Sequence, residues 1–286
     1  MSTSRTKKTR VRTPFIIEII LTVSLFLSAC TTDAVPSEQE DVAPDSPSEA
    51  PGADLHLTAD WQELTEGLEI RTMEISTGTD RTGRRLNFTA LKIDTGKIKL
   101  EVAQDAANPR TVAAWRKQLD TVAVINGGYF TEENLTAGFL IADGIRYGTA
   151  NKNGYAGTFF IRESGEASVR STELEPVTEG EDLSGAIQSY PLLLLDSQAQ
   201  VREDSGKMAR RTVVAIDQMG YLILMVERDL STLYEVSRAL ALNGDFVAAL
   251  NLDGGSSSGL SVQIDGSSYT VPSAKVPNVI AVYLSE

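Results

Sequence analysis

Two reactive residue types are almost missing from this 286-residue chain, which has one cysteine, Cys30, and one histidine, His56. A single cysteine excludes an intrachain disulfide, and its place near the N-terminus leaves the remainder without a thiol nucleophile. With His56 the lone imidazole, in or near an acidic leader stretch, Ser-His-Asp catalysis and zinc sites built on His and Cys fall away. A nucleophilic serine in Ser256-Ser257-Ser258 would then need a lysine or carboxylate as its base. Basic residues are also scarce, 26 against 39 acidic, for a formal charge of −13. No basic stripe is present to release phosphate counterions, so nucleic acid is not a partner. No Gly-x-x-x-x-Gly-Lys-Ser/Thr occurs, and Gly254-Gly255 has no following lysine, which excludes a P-loop.

The first thirty residues read as an export signal. Arg5, Lys7, Lys8, Arg10 and Arg12 precede a largely apolar run from Phe15 to Leu27, whose one charge is Glu18 near its start. The run is short for a membrane-spanning helix and ends in Leu27-Ser28-Ala29-Cys30, small residues before the cysteine. This pattern resembles a bacterial lipobox, which implies a signal peptide over residues 1–29 and lipidation of Cys30. The expected address is extracytoplasmic, with the chain anchored to a membrane of the cell envelope through Cys30. A tether follows over residues 30–60. Residues 31–70 carry eleven acidic and no basic side chains, with Pro36, Pro44, Pro47 and Pro51 in the first half, a composition suited to an extended, disordered spacer.

From Trp61 to residue 286 the apolar residues become regular, and the length suits one domain with a sizeable core. The spacing predicts strands at 67–75, 86–94, 97–104, 121–126, 138–147, 156–163, 184–195, 211–217, 221–227, 245–252 and 278–284. Two helices are expected, 111–119 after Pro109 and 232–242, the second opened by a Thr232/Glu235 capping box. The fold class is α+β: a β-rich mixed sheet with few helices, in a single domain after a disordered tether. A strand, the second helix and the strand at 245–252 form a β-α-β unit whose two strands run parallel, which brings Asp253 to a carboxyl edge where ligands bind.

Asp253 closes the most informative stretch in the chain. Ala249-Leu250-Asn251-Leu252-Asp253-Gly254-Gly255-Ser256-Ser257-Ser258-Gly259 is an apolar strand ending in a carboxylate, then two glycines and three hydroxyls. Ala123-Val124-Ile125-Asn126-Gly127-Gly128-Tyr129-Phe130 repeats the plan, with aromatics placed to wall a pocket. Both segments also suit plain hairpin turns, with Asn126 as turn former and Tyr129 as core filler. Trp115, on the first helix, reads as core. Carboxylate chemistry supported by arginine remains, with glycine N–H groups offered to an anionic oxygen. A hard divalent cation, Ca²⁺ or Mg²⁺, is the one metal left open, near Asp253, Asn251 and Asn126.

These segments resemble the phosphodiester glycosidases over about residues 85–286. The likeness is strongest in Leu233-Tyr234-Glu235 through Asn251-Leu252-Asp253-Gly254-Gly255, in Ile125 to Phe130, and in Arg211-Thr212-Val213-Val214-Ala215-Ile216. Weaker matches are Gly138 to Gly144, Gln188 with Pro191-Leu192-Leu193, and Val276-Pro277-Asn278. The resemblance implies a hydrolase cleaving a sugar-1-phosphodiester on an envelope polysaccharide or related glycoconjugate. It places Asn126, Arg211 and Asp253 in one catalytic pocket, with Arg211 gripping phosphate and Asp253 as nucleophile, general base or metal ligand. Gly127, Gly128, Tyr129, Gln188, Asn251, Gly254, Gly255 and Ser257 join as substrate-binding residues. Asp143 and Asp217 are the candidates for a second acid. Ser256 stands where the family has a third glycine, and Tyr190 stands before Pro191 where glycine is common, so substrate choice differs. A non-catalytic glycan-binding lipoprotein using the same pocket is the alternative.

Overall fold

In the computed structural model, residues 53–79, 83–150 and 157–285 are described. The export signal, Cys30 and the tether up to residue 52 lie outside them. In chain order the strands are β1 (Ala53–Asp54), β2 (Gln62–Thr65), β3 (Leu68–Ser76), β4 (Arg85–Ile93) and β5 (Ile98–Gln104), then helix α1 (Val112–Leu119). There follow β6 (Ala123–Asn126), β7 (Phe139–Ala142), β8 (Ile145–Gly148), β9 (Gly157–Arg162), β10 (Ala167–Ser171), β11 (Leu183–Ser189), β12 (Leu192–Leu195) and β13 (Gln198–Ala199). The chain ends with β14 (Thr212–Asp217), β15 (Leu222–Glu227), helix α2 (Leu233–Asn243), β16 (Phe246–Asn251), β17 (Leu260–Ile264), β18 (Ser267–Val271) and β19 (Asn278–Leu284).

Three sheets result, in the orders β1-β18-β17-β6-β19-β5, β10-β9-β11-β7-β8 and β13-β12-β16-β14-β15-β4-β3-β2. The pairings are antiparallel except β1 with β18, so the expected mixed sheet is three sheets with a single parallel contact. Both β15 and β16 run antiparallel to β14, and are therefore parallel to each other with β14 between them. The expected parallel relation holds in direction but not as a neighbouring pair. The cause is local: the Asp217 side chain accepts from the N–H groups of Met219 and Tyr221, closing a turn that pairs β14 with β15 before α2 crosses over.

Period-two patterning explains the layers. Along β14, Val214 and Ile216 enter a central core shared by the three sheets, while Val213 and Ala215 face α2. On β4, Leu91 and Ile93 join the central core, and Leu86, Phe88 and Ala90 pack with Val236, Ala239 and Leu240 of α2. The eight-stranded sheet is thus buried on both faces, which is why its strands read as continuous apolar runs. Helix α1 covers the outer face of the six-stranded sheet through Val112 and Trp115, and the Trp115 ring N–H donates to the Val276 carbonyl at 2.8 Å. Trp115 is core, as its spacing suggested.

Four differences from the sequence reading have physical causes. The segment 138–147 is a hairpin, since Asp143 and Gly144 take left-handed φ of 50° and 69° and reverse the chain between β7 and β8. The segment 184–195 is broken at the cis Tyr190–Pro191 peptide, and its halves enter different sheets. The β17–β18 hairpin carries a legible signal that the reading left out, alternation at Leu260, Val262 and Ile264 before an Asp265-Gly266 turn. Strand β1 pairs with β18, and Leu55 and Leu57 pack on the central core, so ordered chain begins ahead of Trp61.

The capping box on α2 is complete. The Glu235 N–H donates to Thr232 Oγ1 at 3.1 Å, and the Thr232 N–H donates to Glu235 Oε2 at 2.9 Å. Thr232→Ala removes one half of it and is expected to lower the unfolding free energy by about 1 kcal/mol, read by urea denaturation.

Candidate active site

Three strand ends from two sheets meet at one buried side chain. Asn126, the last residue of β6, is fully buried and each of its polar atoms has a partner. Its amide donates to the carbonyls of Asp253 at 2.8 Å and Gly127 at 3.3 Å. Its Oδ1 accepts from Thr212 Oγ1 at 2.8 Å and from the Gly259 N–H at 3.1 Å. An Asn side chain offers two donors and two lone pairs, so nothing is left over for a ligand. Asn126 therefore ties β6 to the start of β14 and to both ends of the 253–259 loop. It is a positioning residue, which corrects its assignment among the groups that touch substrate.

The loop that Asn126 holds presents Asp253. The Asp253 N–H donates to the Gly127 carbonyl at 3.1 Å, joining the two glycine turns directly. The carboxylate accepts from the Gly254 N–H at 2.9 Å and is hydrogen-bonded by Ser257. Burial pushes the Asp253 carboxyl above the ordinary carboxylate range, and the Ser257 and Gly254 hydrogen bonds offset only part of that. The Gly254 N–H is thus taken by Asp253, and the Gly255 N–H donates to the Arg210 carbonyl at 2.8 Å. The expectation that these two N–H groups stand ready for an anion is corrected: they build the loop. Gly255 has a φ of +65°, a region that a side chain would strain. Gly127 is required for space, because a Cβ there would lie 2.1 Å from Asn278 Oδ1.

Arg210 and Arg211 precede β14 and diverge. Arg210 Nε donates to the Gly255 carbonyl at 3.3 Å, reinforcing the loop. Arg211, only 7% exposed, donates through Nε to the Ser231 carbonyl at 3.0 Å and through Nη2 to the Lys207 carbonyl at 2.6 Å. Backbone carbonyls hold the guanidinium from behind, and its Nη1 lies 3.8 Å from the position a Cβ on Gly254 would take. The Nε–Nη2 edge is engaged, which leaves the end-on Nη1–Nη2 edge as the fork available to a ligand.

Tyr129 lies within electrostatic reach of both Arg211 and Asp253. Burial, then the charge of Asp253, raises its phenol far above the ordinary value, so it stays protonated. Its hydroxyl accepts from Asn251 Nδ2 at 2.8 Å, and its ring sits 5.8 Å from that of Tyr190, tilted by 42°. Tyr190 is 45% exposed and forms the solvent side of this aromatic wall. Asn251 also donates to the Tyr190 carbonyl at 3.0 Å, while its buried Oδ1 has no partner. Gln188 lies behind the turn, its Oε1 accepting from the Phe139 N–H at 3.4 Å.

The two candidate second acids are elsewhere. Asp143 is at the exposed β7–β8 turn, and Asp217 is at the far end of β14 from Arg211, about 20 Å along the strand. Of the three donors considered for Ca²⁺ or Mg²⁺, Asn126 Oδ1 is already engaged, and no group of three His, Cys, Asp or Glu gathers among the described residues. One carboxylate and one amide oxygen do not make the oxygen cage such ions take.

A carboxyl that sequence reasoning passed over is part of this environment. Glu227, the last residue of β15, is fully buried, and its pKa is pushed up to about 7, chiefly by burial. Its Oε2 accepts from Ser231 Oγ, and its Oε1 has no partner. The signal was a charged residue closing the otherwise apolar run Leu222-Ile223-Leu224-Met225-Val226, at a position whose parity points it into the sheet's covered face.

Half-buried carboxylate, caged arginine and aromatic wall, raised where sheets converge, define a small polar site suited to a sugar bearing an anionic group. Residues 119–283, more than half of the chain, match the phosphodiester glycosidase family, and the chain belongs to it. Among solved structures it is similar to the catalytic domain of zebrafish N-acetylglucosamine-1-phosphodiester alpha-N-acetylglucosaminidase, auto-inhibited by its pro-peptide. That likeness has a TM-score of 0.58 at 18% identity, over 82% of this chain and 87% of that one. A hypothetical protein from Synechocystis is similar at a TM-score of 0.54 and 15% identity, over 77% of this chain and 63% of that one. At these identities the structural likeness is one of fold. Among curated proteins there is no match.

Removing the Asn126 side chain strands the Thr212 hydroxyl and the Gly259 N–H in the interior. Asn126→Ala is expected to cost about 3–5 kcal/mol by chemical denaturation. Glu227 makes stability pH-dependent: its folded pKa lies above the unfolded value, so the folded state binds more protons and stability falls as pH rises between about 4.5 and 7. Glu227→Gln removes that dependence. Its unfolding free energy relative to the parent should move in the variant's favour by about 2–3 kcal/mol from pH 5 to pH 8, measured by denaturation across that range.

Proposed function

We propose that this chain hydrolyses the bond between a sugar C1 and a phosphodiester oxygen. Water is added at C1, the C1–O bond breaks, and free sugar and a phosphomonoester leave. The observation that carries this reading is that Tyr129 lies within electrostatic reach of both Asp253 and Arg211, which brings a carboxylate and a guanidinium to one aromatic group.

Arg211 binds the phosphate through its free end, keeping its charge throughout because a guanidinium does not deprotonate. Asp253 supplies the carboxylate at the anomeric carbon, held by Ser257 and the Gly254 N–H. A phosphomonoester departs as a weakly basic anion, so one carboxylate suffices, consistent with the distant placement of Asp143 and Asp217. Tyr129 and Tyr190 form the wall against which a pyranose face packs. Asn126 and Asn251 hold the turns that carry these groups.

The export signal and lipobox-like Cys30 support an extracytoplasmic, membrane-anchored protein. The acidic, proline-bearing stretch ahead of residue 53 then serves as the spacer between that anchor and the folded domain, and the substrate class is an envelope polysaccharide or related glycoconjugate.

The test is release of N-acetylglucosamine from a methyl diester of its 1-phosphate. Asp253→Asn is expected to lower kcat at least 10³-fold with binding retained, and Arg211→Ala to raise KM by 10-fold or more. Tight binding with no turnover in the parent would replace hydrolysis with a glycan-binding role.

A further inference from the structure

Glu227 is the one buried carboxyl beside the site that the proposed chemistry does not use. It faces Arg211 across the β14–β15 pair: the Glu227 N–H donates to the Arg211 carbonyl at 2.7 Å, one step beyond the Thr212–Val226 register. Residues so opposed present their side chains on one face with Cβ atoms about 4.5–5.5 Å apart. Ser231 joins the two a second time, because its hydroxyl donates to Glu227 Oε2 while its carbonyl accepts from Arg211 Nε.

The other charges around Glu227 are accounted for. Arg84 is paired with Glu235 and the Leu230 carbonyl, and Asp229 accepts from Asn87. Tyr129 also lies within electrostatic reach of Arg211, and its raised phenol stays protonated and leaves the guanidinium charge uncompensated, while Asp253 acts on Tyr129. The Arg211 guanidinium donates to the Ser231 and Lys207 carbonyls, and among the described residues no carboxylate forms an ion pair with it. Glu227 is the carboxyl whose charge acts on it.

We propose that Glu227 is the proton-linked counter-ion of Arg211, and that the site takes up an anionic phosphodiester together with a proton that Glu227 holds. The inference rests on the phosphate-binding reading of Arg211. With Glu227 ionised, its charge offsets Arg211 and repels an incoming phosphate. With Glu227 protonated, Arg211 is left for the ligand. Because Glu227 titrates near neutral pH, the exchange falls in the working range, and linkage requires that ligand raise the Glu227 pKa as much as protonation strengthens binding. Glu227 is sealed from solvent, so it acts through Arg211 as a positioning residue and not as the acid that touches substrate.

Titration calorimetry on the full chain tests this with the methyl diester of N-acetylglucosamine 1-phosphate as probe. The Asp253→Asn background removes both turnover and the competing carboxyl. At pH 7.5, runs in buffers of different ionisation enthalpy should give uptake of about half a proton or more per site. Affinity should weaken as pH rises from 6 to 8, by up to 10-fold per unit above neutrality. Adding Glu227→Gln should abolish the uptake and flatten the pH profile. Should that variant fail to fold, Ser231→Ala serves instead: it withdraws the hydroxyl that favours the ionised form and should move the affinity profile to higher pH. Binding with no proton uptake, or an affinity profile that Ser231→Ala leaves in place, overturns the counter-ion role while leaving the phosphate reading intact. No binding at any pH overturns the phosphate reading and this inference with it.

Discussion

Everything in the site hangs from the Asn126 amide. The sheets that carry Asp253 and Tyr129 are different ones, and each alone would present a glycine turn with no fixed relation to the other. Four hydrogen bonds from one buried side chain, with the Asp253–Gly127 backbone contact beside them, set that relation. A buried amide with every donor and acceptor engaged is costly to displace, because any movement strands polar groups away from water. Precision at the carboxylate thus comes from a residue that need not meet the substrate.

The electrostatics follow from the same burial. Asp253 and Glu227 are raised by loss of solvent more than by their neighbours, and Arg211 is lowered for the same reason. A caged arginine paired to a carboxylate would be neutralised for an incoming anion. Holding it by the carbonyls of Lys207 and Ser231 fixes its geometry and keeps its charge.

Much of this was legible in the sequence, and the misses share a cause. Helix ends were visible because Thr232 and Glu235 satisfy the free N–H groups locally. Strands such as β14 and β16 were visible because burial on both faces makes a continuous apolar run. The short β10 was not, since Ala167–Ser171 has too little pattern to rise above its surroundings, and the break at Tyr190 depends on which sheet each half joins. The resemblance implied one pocket for Asn126, Arg211 and Asp253; the structure puts Tyr129 within electrostatic reach of Asp253 and Arg211, a relation no single segment displays. The meaning of Asn126 was missed because a turn-forming Asn and a cross-sheet Asn look the same in one dimension. Glu227 was missed because a charge at a strand end is usually solvated, and only the α2 layer above it shows that it is not.

Tyr190 sits where the chain passes from one sheet to another, outside the ladders of both, with its carbonyl held by Asn251. Of the two rings in the wall, Tyr129 is tied through Asn251 to the strand that ends in Asp253, while the Tyr190 ring faces solvent. A new side chain at residue 190 reshapes what the pocket admits while the carboxylate and arginine keep their places. The solvent-facing ring is thus the part of the wall that can vary without disturbing the hydrogen bonds of Asn126 and Asn251, since Asn251 grips residue 190 by its backbone.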